Sequence, residues 1–442
     1  MVAADGGSIV INGGGEAHDY EKLKNGHVSF EHGKKLHDTG FSAGWLVETL
    51  RERDEEFGNI CDGRDVLEVT CEYISEGKGF ASLVLRCLIH FDDNSDPYST
   101  VLKVPGTDVC KKASKSFETD VFQVADDIIK KIRSFHDFEC HFYTDLAPIL
   151  DIPVPIVHYS QPWTPFQTEG CILMEDLTKR GTTLSFFTSW NLAQTMEVVR
   201  HLAHMHKQVL CLPVTDEWQR KLVGNENGFF GTQRVISNSI GPFQGLCRRF
   251  GYEIDHLLSK LNKFLISADE VIAMINGAHA ELNMPAVIVH GDLWSNNILW
   301  TIDENQMPTD SVAAFIDFQL MHAGSATADI AGAVALCVDG ATRREAESDV
   351  ILGQYFEILS TELASEGKDM PFTMDQLRRA YQLDFLQQAT QLVVMTVVAS
   401  SGGKPVSDAD LNTAILRAVN VLEDTLHLLE GPLKHIGDKF IC

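Results

Sequence analysis

The stretch VIVHGDLWSNNILW, with FIDFQ following it, constrains this chain more than any other feature. His290, Gly291 and Asp292 stand at the end of one apolar run. Asn297 follows Asp292 by five residues, and Asp317 closes a second apolar run twenty residues beyond Asn297. Short apolar runs bounded by polar turns read as buried strands. A strand-turn-strand unit is therefore expected to deliver Asp292, Asn297 and Asp317 to one rim. Two carboxylates and a carboxamide are hard oxygen ligands of the kind that hold magnesium against phosphate groups. Phosphoryl transfer asks a protein mainly for positioning and charge neutralisation, with one carboxylate to receive or orient the acceptor's proton.

Composition bounds the setting of that unit. At 442 residues the chain is long for one core, and two packed lobes are expected. The balance of 36 Lys+Arg against 62 Asp+Glu gives a formal net charge of -26. It lacks the basic footprint of general nucleic-acid binding and opposes docking on an anionic membrane surface. It would suit a cationic substrate, although acidity more often serves solubility. Ten cysteines fall singly with no C-x-x-C pair, which reads as reduced thiols rather than a disulfide framework. The opening MVAADGGSIVINGGGEAHDYE has neither the basic nor the apolar region of a secretory signal. The longest nearly apolar stretch, Leu392 to Ala399, is far short of a membrane span. The expected compartment is the cytoplasm.

Along the chain, residues 1–37 are rich in Gly, His and charge and are expected to form a flexible leader. Its histidines His18, His27, His32 and His37 are scattered as tail histidines that bind no metal usually are. From Trp45, GWLVETLRERD is amphipathic at helical spacing. LEVTCEYISEGKGFASLVLRCLIHF reads as a hairpin, and STVLKVPG as a third strand stopped by Pro105 and Gly106. FECHFYTDLAPIL places Phe138, Phe142 and Leu146 on one helical face, and TEGCILMEDL is a strand running into an acidic turn. Beyond Asp176 the pattern is mostly helical, with Asn191 a plausible N-cap, save for the strands AVIVHGD and AAFIDFQ. Strands first and helices after give an α+β fold of two lobes, a small β-rich one over 38–176 and a larger, mostly helical one over 177–442.

The string HGDLWSNNILW with IDFQ resembles the ecdysteroid-kinase-like group, also called the CHK kinase-like family. This group lies within the aminoglycoside phosphotransferase and choline kinase branch of the protein-kinase-like superfamily. The likeness runs over roughly residues 40 to 430 and includes an HxDxxxxN element in which Gly291 stands where protein kinases carry Arg. It implies a two-lobed protein-kinase-like fold whose small lobe carries a nucleotide-binding sheet. The implied activity is an ATP- and Mg2+-dependent transfer of phosphate to the hydroxyl of a small molecule such as a sterol, amino alcohol or xenobiotic alcohol. By the same resemblance Asp292 is the catalytic base, Asn297 and Asp317 hold the metal, and Lys103 meets the α- and β-phosphates while Glu139 fixes it. Glu118, before another plausible helix, is the rival for that last role. The turn SEGKGFAS would bring backbone N–H groups of Gly77 and Gly79 to phosphate oxygens, with the Ser82 hydroxyl adding a contact, although it lacks a full G-x-G-x-x-G. The Met174 to Leu177 turn matches the segment linking the lobes, where the backbone of Glu175 and Leu177 would meet adenine.

Three further readings complete the expectation. Asp329 resembles the buried Asp that binds the catalytic-loop backbone, and Trp294 is expected to pack that loop. His201, His204 and His206 are spaced so that one helical face does not carry all three. Only eleven residues separate Asp317 from Asp329, with no A-P-E element, and Gln319 stands where protein kinases have Gly, so a protein substrate is disfavoured. The rivals are a catalytically silent nucleotide-binding protein or ligand sensor, and a choline or ethanolamine kinase, whose motif usually continues I-D-F-E. No nucleic-acid, membrane or obligate protein partner is expected.

Overall fold

The computed structural model describes residues 30–74, 82–93, 95–106, 121–165, 167–213, 218, 222, 233–401 and 405–441. Five strands form the sheet of the smaller lobe: β1 (Val66–Tyr73), β2 (Ser82–Phe91), β3 (Tyr98–Pro105), β4 (Val157–Gln161) and β5 (Cys171–Glu175). They are antiparallel throughout, in the order β1-β2-β3-β5-β4. The period of two is plain along β2, where Leu85, Cys87, Ile89 and Phe91 are buried and the residues between them half-buried. Helices α1 (Ala43–Arg53) and α2 (Glu55–Cys61) cover that face with Leu46, Leu50 and Phe57. Ser42 caps α1 by accepting from the Trp45 N–H, and Asp54 caps α2 by accepting from Glu56 and Phe57.

Leu36 is 1% exposed in the same core and Lys35 bridges to Ser42, so the packed chain begins ahead of residue 38. A single leucine without a periodic neighbour left no mark of this in the sequence. Cys71 and Cys87 face one another across β1 and β2 as free thiols with sulfurs 3.4 Å apart.

Helix α3 (Val121–His141) passes into a π-helical turn, Phe142–Leu146, rather than continuing as one regular helix. The larger lobe follows with α4 (Leu192–Cys211), α5 (Gln233–Arg249), α6 (Asp255–Ile266), α7 (Ala268–Asn276), α8 (Ala328–Cys337), α9 (Leu352–Ser365), α10 (Met374–Ser401) and α11 (Asp408–Glu430). Asn191 caps α4 through a capping box with Gln194. One apolar core runs from Cys140 to Phe440 through these helices.

Set among them are β6 (Gly181–Thr183), β7 (Val287–Val289), β8 (Ile298–Ile302), β9 (Pro308–Phe315) and β10 (His322–Gly324). The two apolar runs expected to form one strand-turn-strand unit do not pair with each other. β7 pairs with β10, and β9 pairs with β8, which also holds β6. β8 had read as part of the loop because its apolar residues follow directly on the polar motif. The result is a two-lobed α+β fold, a small antiparallel sheet beside a larger helical part. Among the described residues no helix is long and apolar enough to cross a membrane.

Candidate active site

Lys103 lies on β3 between Leu102 and Val104, both buried against α1 and α2, so its side chain leaves the opposite face of the sheet. Val84 stands directly across from it on β2, and Ser82, paired with Pro105, stands on that same face two residues along. Gly77 and Gly79 lie outside the described residues. From the Lys103 face the ammonium reaches Glu139 of α3 at 2.6 Å and Asp317 at 2.7 Å. Burial disfavours the charged amine, but Asp317 and Glu139 outweigh it and hold the Lys103 pKa above its ordinary value. Burial raises the Glu139 carboxyl to about 7 against the pull of the Lys103 charge.

Gly291 adopts φ +82, and a Cβ there would meet the Leu320 carbonyl oxygen, so this position admits only glycine. The backbone N–H groups of His290 and Gly291 donate to the Asp329 carboxylate at 2.7 and 3.0 Å, as the sequence predicts. This pins the loop to the first turn of α8. The Asn297 carboxamide N–H donates to the Asp292 carbonyl at 2.8 Å and to its carboxylate at 3.0 Å. Burial, with the Asp317 charge second, nevertheless raises the Asp292 carboxyl to about 7.

Asp317 sits just past β9 in the left-handed region, at φ 68 and ψ 57, unusual for a residue with a side chain. Phe318 beside it stacks on Phe142 at 3.4 Å and lies 4.3 Å from the His290 ring. His290 donates through Nε2 to the Ile316 carbonyl and accepts from the Asp292 N–H at Nδ1, and burial keeps it neutral with a pKa near 4. A continuous packed line thus joins the helix bearing Glu139, the residue after Asp317 and the residue two before Asp292. The sequence reading missed Phe318 and gave Phe142 no role here. The spacing of three between Glu139 and Phe142 was the available sign, since it puts both on one side of a helix.

At the acidic turn, the Glu175 N–H donates to the Ile156 carbonyl, and its carboxylate accepts from Arg180 and from the Ile156 N–H. Leu177 buries its side chain among Leu299, Ala313 and Ala314. Both side chains are thereby turned to packing and pairing. Asp176, which the sequence did not single out, accepts from Arg86, Ser99 and Thr178 and ties this turn to β2 and β3. The three α4 histidines diverge: His201 faces Glu197, His204 faces Glu362, and His206 bonds the Tyr355 hydroxyl.

The structure therefore brings Lys103, Glu139, Asp292, Asn297 and Asp317 together, with Ser82 on the same face of the sheet. The small sheet supplies Lys103 and the larger, helical part supplies Asp292, Asn297 and Asp317. The site also fits a divalent cation. Burial raises the Asp292 carboxyl and the Asp317 charge adds to it, a repulsion that a bound cation would relieve. Two carboxylates and one carboxamide suit magnesium, which keeps waters and phosphate ligands rather than an all-protein cage.

Residues 67–430 match a family model described as "Uncharacterized oxidoreductase dhs-27". The Caenorhabditis elegans protein of that name is 24% identical over 360 residues, which is 80% of this chain and 41% of that protein. A second Caenorhabditis elegans protein, "Uncharacterized kinase-like protein D1044.1", is 26% identical over 264 residues, covering 59% of this chain and 65% of its own length. The chain thus spans less than two thirds of either relative. Among solved structures, a choline kinase from Cryptosporidium parvum Iowa II is 14% identical with a TM-score of 0.48, over 87% of this chain and 96% of that one.

Proposed function

This chain belongs to the family described as uncharacterized oxidoreductase dhs-27, and we propose that it is an ATP- and Mg2+-dependent phosphotransferase acting on the hydroxyl group of a small molecule. The observation that carries the reading is Lys103, clasped by Glu139 at 2.6 Å and Asp317 at 2.7 Å, in front of the Asp292 and Asn297 pair. Lys103 binds the α- and β-phosphates, and Glu139 keeps the flexible ammonium stem in place. Asn297, whose N–H is given to Asp292, offers its carboxamide oxygen to magnesium, and Asp317 offers its carboxylate. Bound magnesium supplies charge neutralisation on the phosphates.

Asp292 orients the acceptor hydroxyl. As the acceptor oxygen bonds to the γ-phosphorus, the bond from that phosphorus to the ADP oxygen breaks and the hydroxyl proton passes to the Asp292 carboxylate. The raised pKa of Asp292 suits it to hold that proton. Adenine meets the backbone near Glu175 and Leu177. Ser82, on the Lys103 face of the sheet, lies toward the phosphates. Free thiols at Cys71 and Cys87 accord with a reducing, cytoplasmic setting.

The word oxidoreductase stands in the name of a relative of which the match covers 41%. An ammonium with hard oxygen ligands answers to phosphate rather than to hydride transfer. The test is incubation of the purified chain with ATP, magnesium and a metabolite extract, followed by mass spectrometry. A product heavier by one phosphoryl group, lost in Asp292→Asn, is expected. ATP binding without any phosphorylated product would favour the silent nucleotide binder, and consumption of reduced nicotinamide would favour the relative's name.

A further inference from the structure

A cavity of about 100 Å³ opens beside Asp292, which lines it together with Gly291 and Asp329, while Lys103, Glu139, Asn297 and Asp317 are not in its lining. A base must touch its acceptor while the nucleotide lies toward Lys103, so this cavity is the acceptor's side of the site. Its walls pair two kinds of surface. Ile272 and Ile275 of α7 are apolar, and Gln387, Gln388 and Gln391 of α10 present carboxamides.

Gln388 is the telling residue. It is 5% exposed, it lines the cavity, and its carboxamide oxygen has no hydrogen-bond partner among the described residues. Across from it Gly332 leaves room, since a Cβ there would sit 3.9 Å from both carboxamide atoms. A buried amide oxygen with no donor is costly unless something that binds supplies one.

Building on the phosphotransferase reading, we infer that Gln388 sets acceptor specificity by accepting a hydrogen bond from a second hydroxyl of a neutral alcohol whose apolar body lies on Ile272 and Ile275. An ammonium is the weaker fit despite the acidity of the chain. The other carboxylates of the lining are engaged, Asp329 by the His290 and Gly291 amides and Asp384 by the Ser325 and Thr327 hydroxyls. A cavity of about 150 Å³ takes a benzene molecule. The volume here is smaller, so it takes only the hydroxyl-bearing edge of a ring, and the rest of the acceptor lies outside.

Three probes on one ring test this: vicinal cyclohexanediol, cyclohexanol and the vicinal amino alcohol. Binding to the full chain with Mg-ATP is measured by ligand-observed NMR titration, and transfer by mass spectrometry. The diol should bind about tenfold more tightly than the mono-alcohol. Gln388→Met, close in volume, should remove that preference while Mg-ATP affinity and the unfolding temperature stay at wild-type values. Equal binding of diol and mono-alcohol, a diol preference that survives Gln388→Met, tighter binding of the amino alcohol, or no saturable binding of the diol each overturn the inference. Gln388-dependent diol binding without phosphoryl transfer would support the inference while sinking the phosphotransferase reading. Transfer to the probes with no dependence on Gln388 would do the reverse.

Discussion

At the scale of single residues, the site rests on groups whose neighbours leave them few alternatives. Gly291 is the sharpest case. Its positive φ and the Leu320 carbonyl 2.3 Å from a would-be Cβ make Gly291→Ala strained on two counts. We expect that variant to lose at least about 2 kcal/mol in denaturant unfolding, and a wild-type midpoint would contradict the geometry. Lys103 and Glu139 make an ordered pair of effects. Lys103→Met leaves two carboxylates facing each other without their cation, whereas Glu139→Gln keeps a hydrogen-bonding group and leaves Asp317 in place. Mg-ATP titration should therefore show the larger loss, on the order of 2 kcal/mol or more, for Lys103→Met. The reverse order would mean that Lys103 does not meet phosphate.

At the scale of elements, Phe142 couples the two lobes, because the π-helical turn after α3 lets it lie flat on Phe318. Phe142→Ala should cost about 3–5 kcal/mol of stability and also lower kcat, since Glu139 and Asp317 then lose their shared buttress. Phe264→Ala, in an equally buried ring packed near Phe440, should cost similar stability with kcat intact. If both variants alter kcat alike, the stacked line is ordinary core.

The elements also mark what the sequence could tell. Lys103 was legible because apolar neighbours on both sides fix a strand and period two fixes its direction. Asp292, Asn297 and Asp317 stood out through the motif they share and the resemblance it carries. Their pairing was not legible: β8 hides in the motif, and whether two apolar runs pair with each other or with third strands is a long-range matter that local pattern does not encode. Leu36 and Gln388 escaped for the same reason, since burial of an isolated residue is decided by what packs on it from elsewhere in the chain.

At the scale of the whole molecule, the buried histidines set a pH limit. Burial lowers His206 to about 3 and His136 to about 4. Above about pH 6.5 both folded and unfolded chains hold such a histidine neutral. As pH falls toward the folded values, the unfolded chain takes up protons that the native chain refuses, so stability falls by about 1.4 kcal/mol per pH unit for each histidine. Asp384, raised by burial to about 7, acts with the opposite sign. The slope for His206→Gln set against wild type isolates one group: between pH 6 and 4.5 the variant should lose roughly one proton's worth of pH dependence. Equal slopes would place His206 in solvent.

The account as a whole turns on five side chains from both lobes meeting one nucleotide. Its most direct test is a crystal structure of the chain with magnesium and a non-hydrolysable ATP analogue. We predict the metal at about 2.0–2.1 Å from the Asn297 carboxamide oxygen and the Asp317 carboxylate, the Lys103 ammonium on the α- and β-phosphates, and Asp292 facing the γ-phosphate. A nucleotide bound elsewhere on the chain, or a metal held without Asp317, would contradict it.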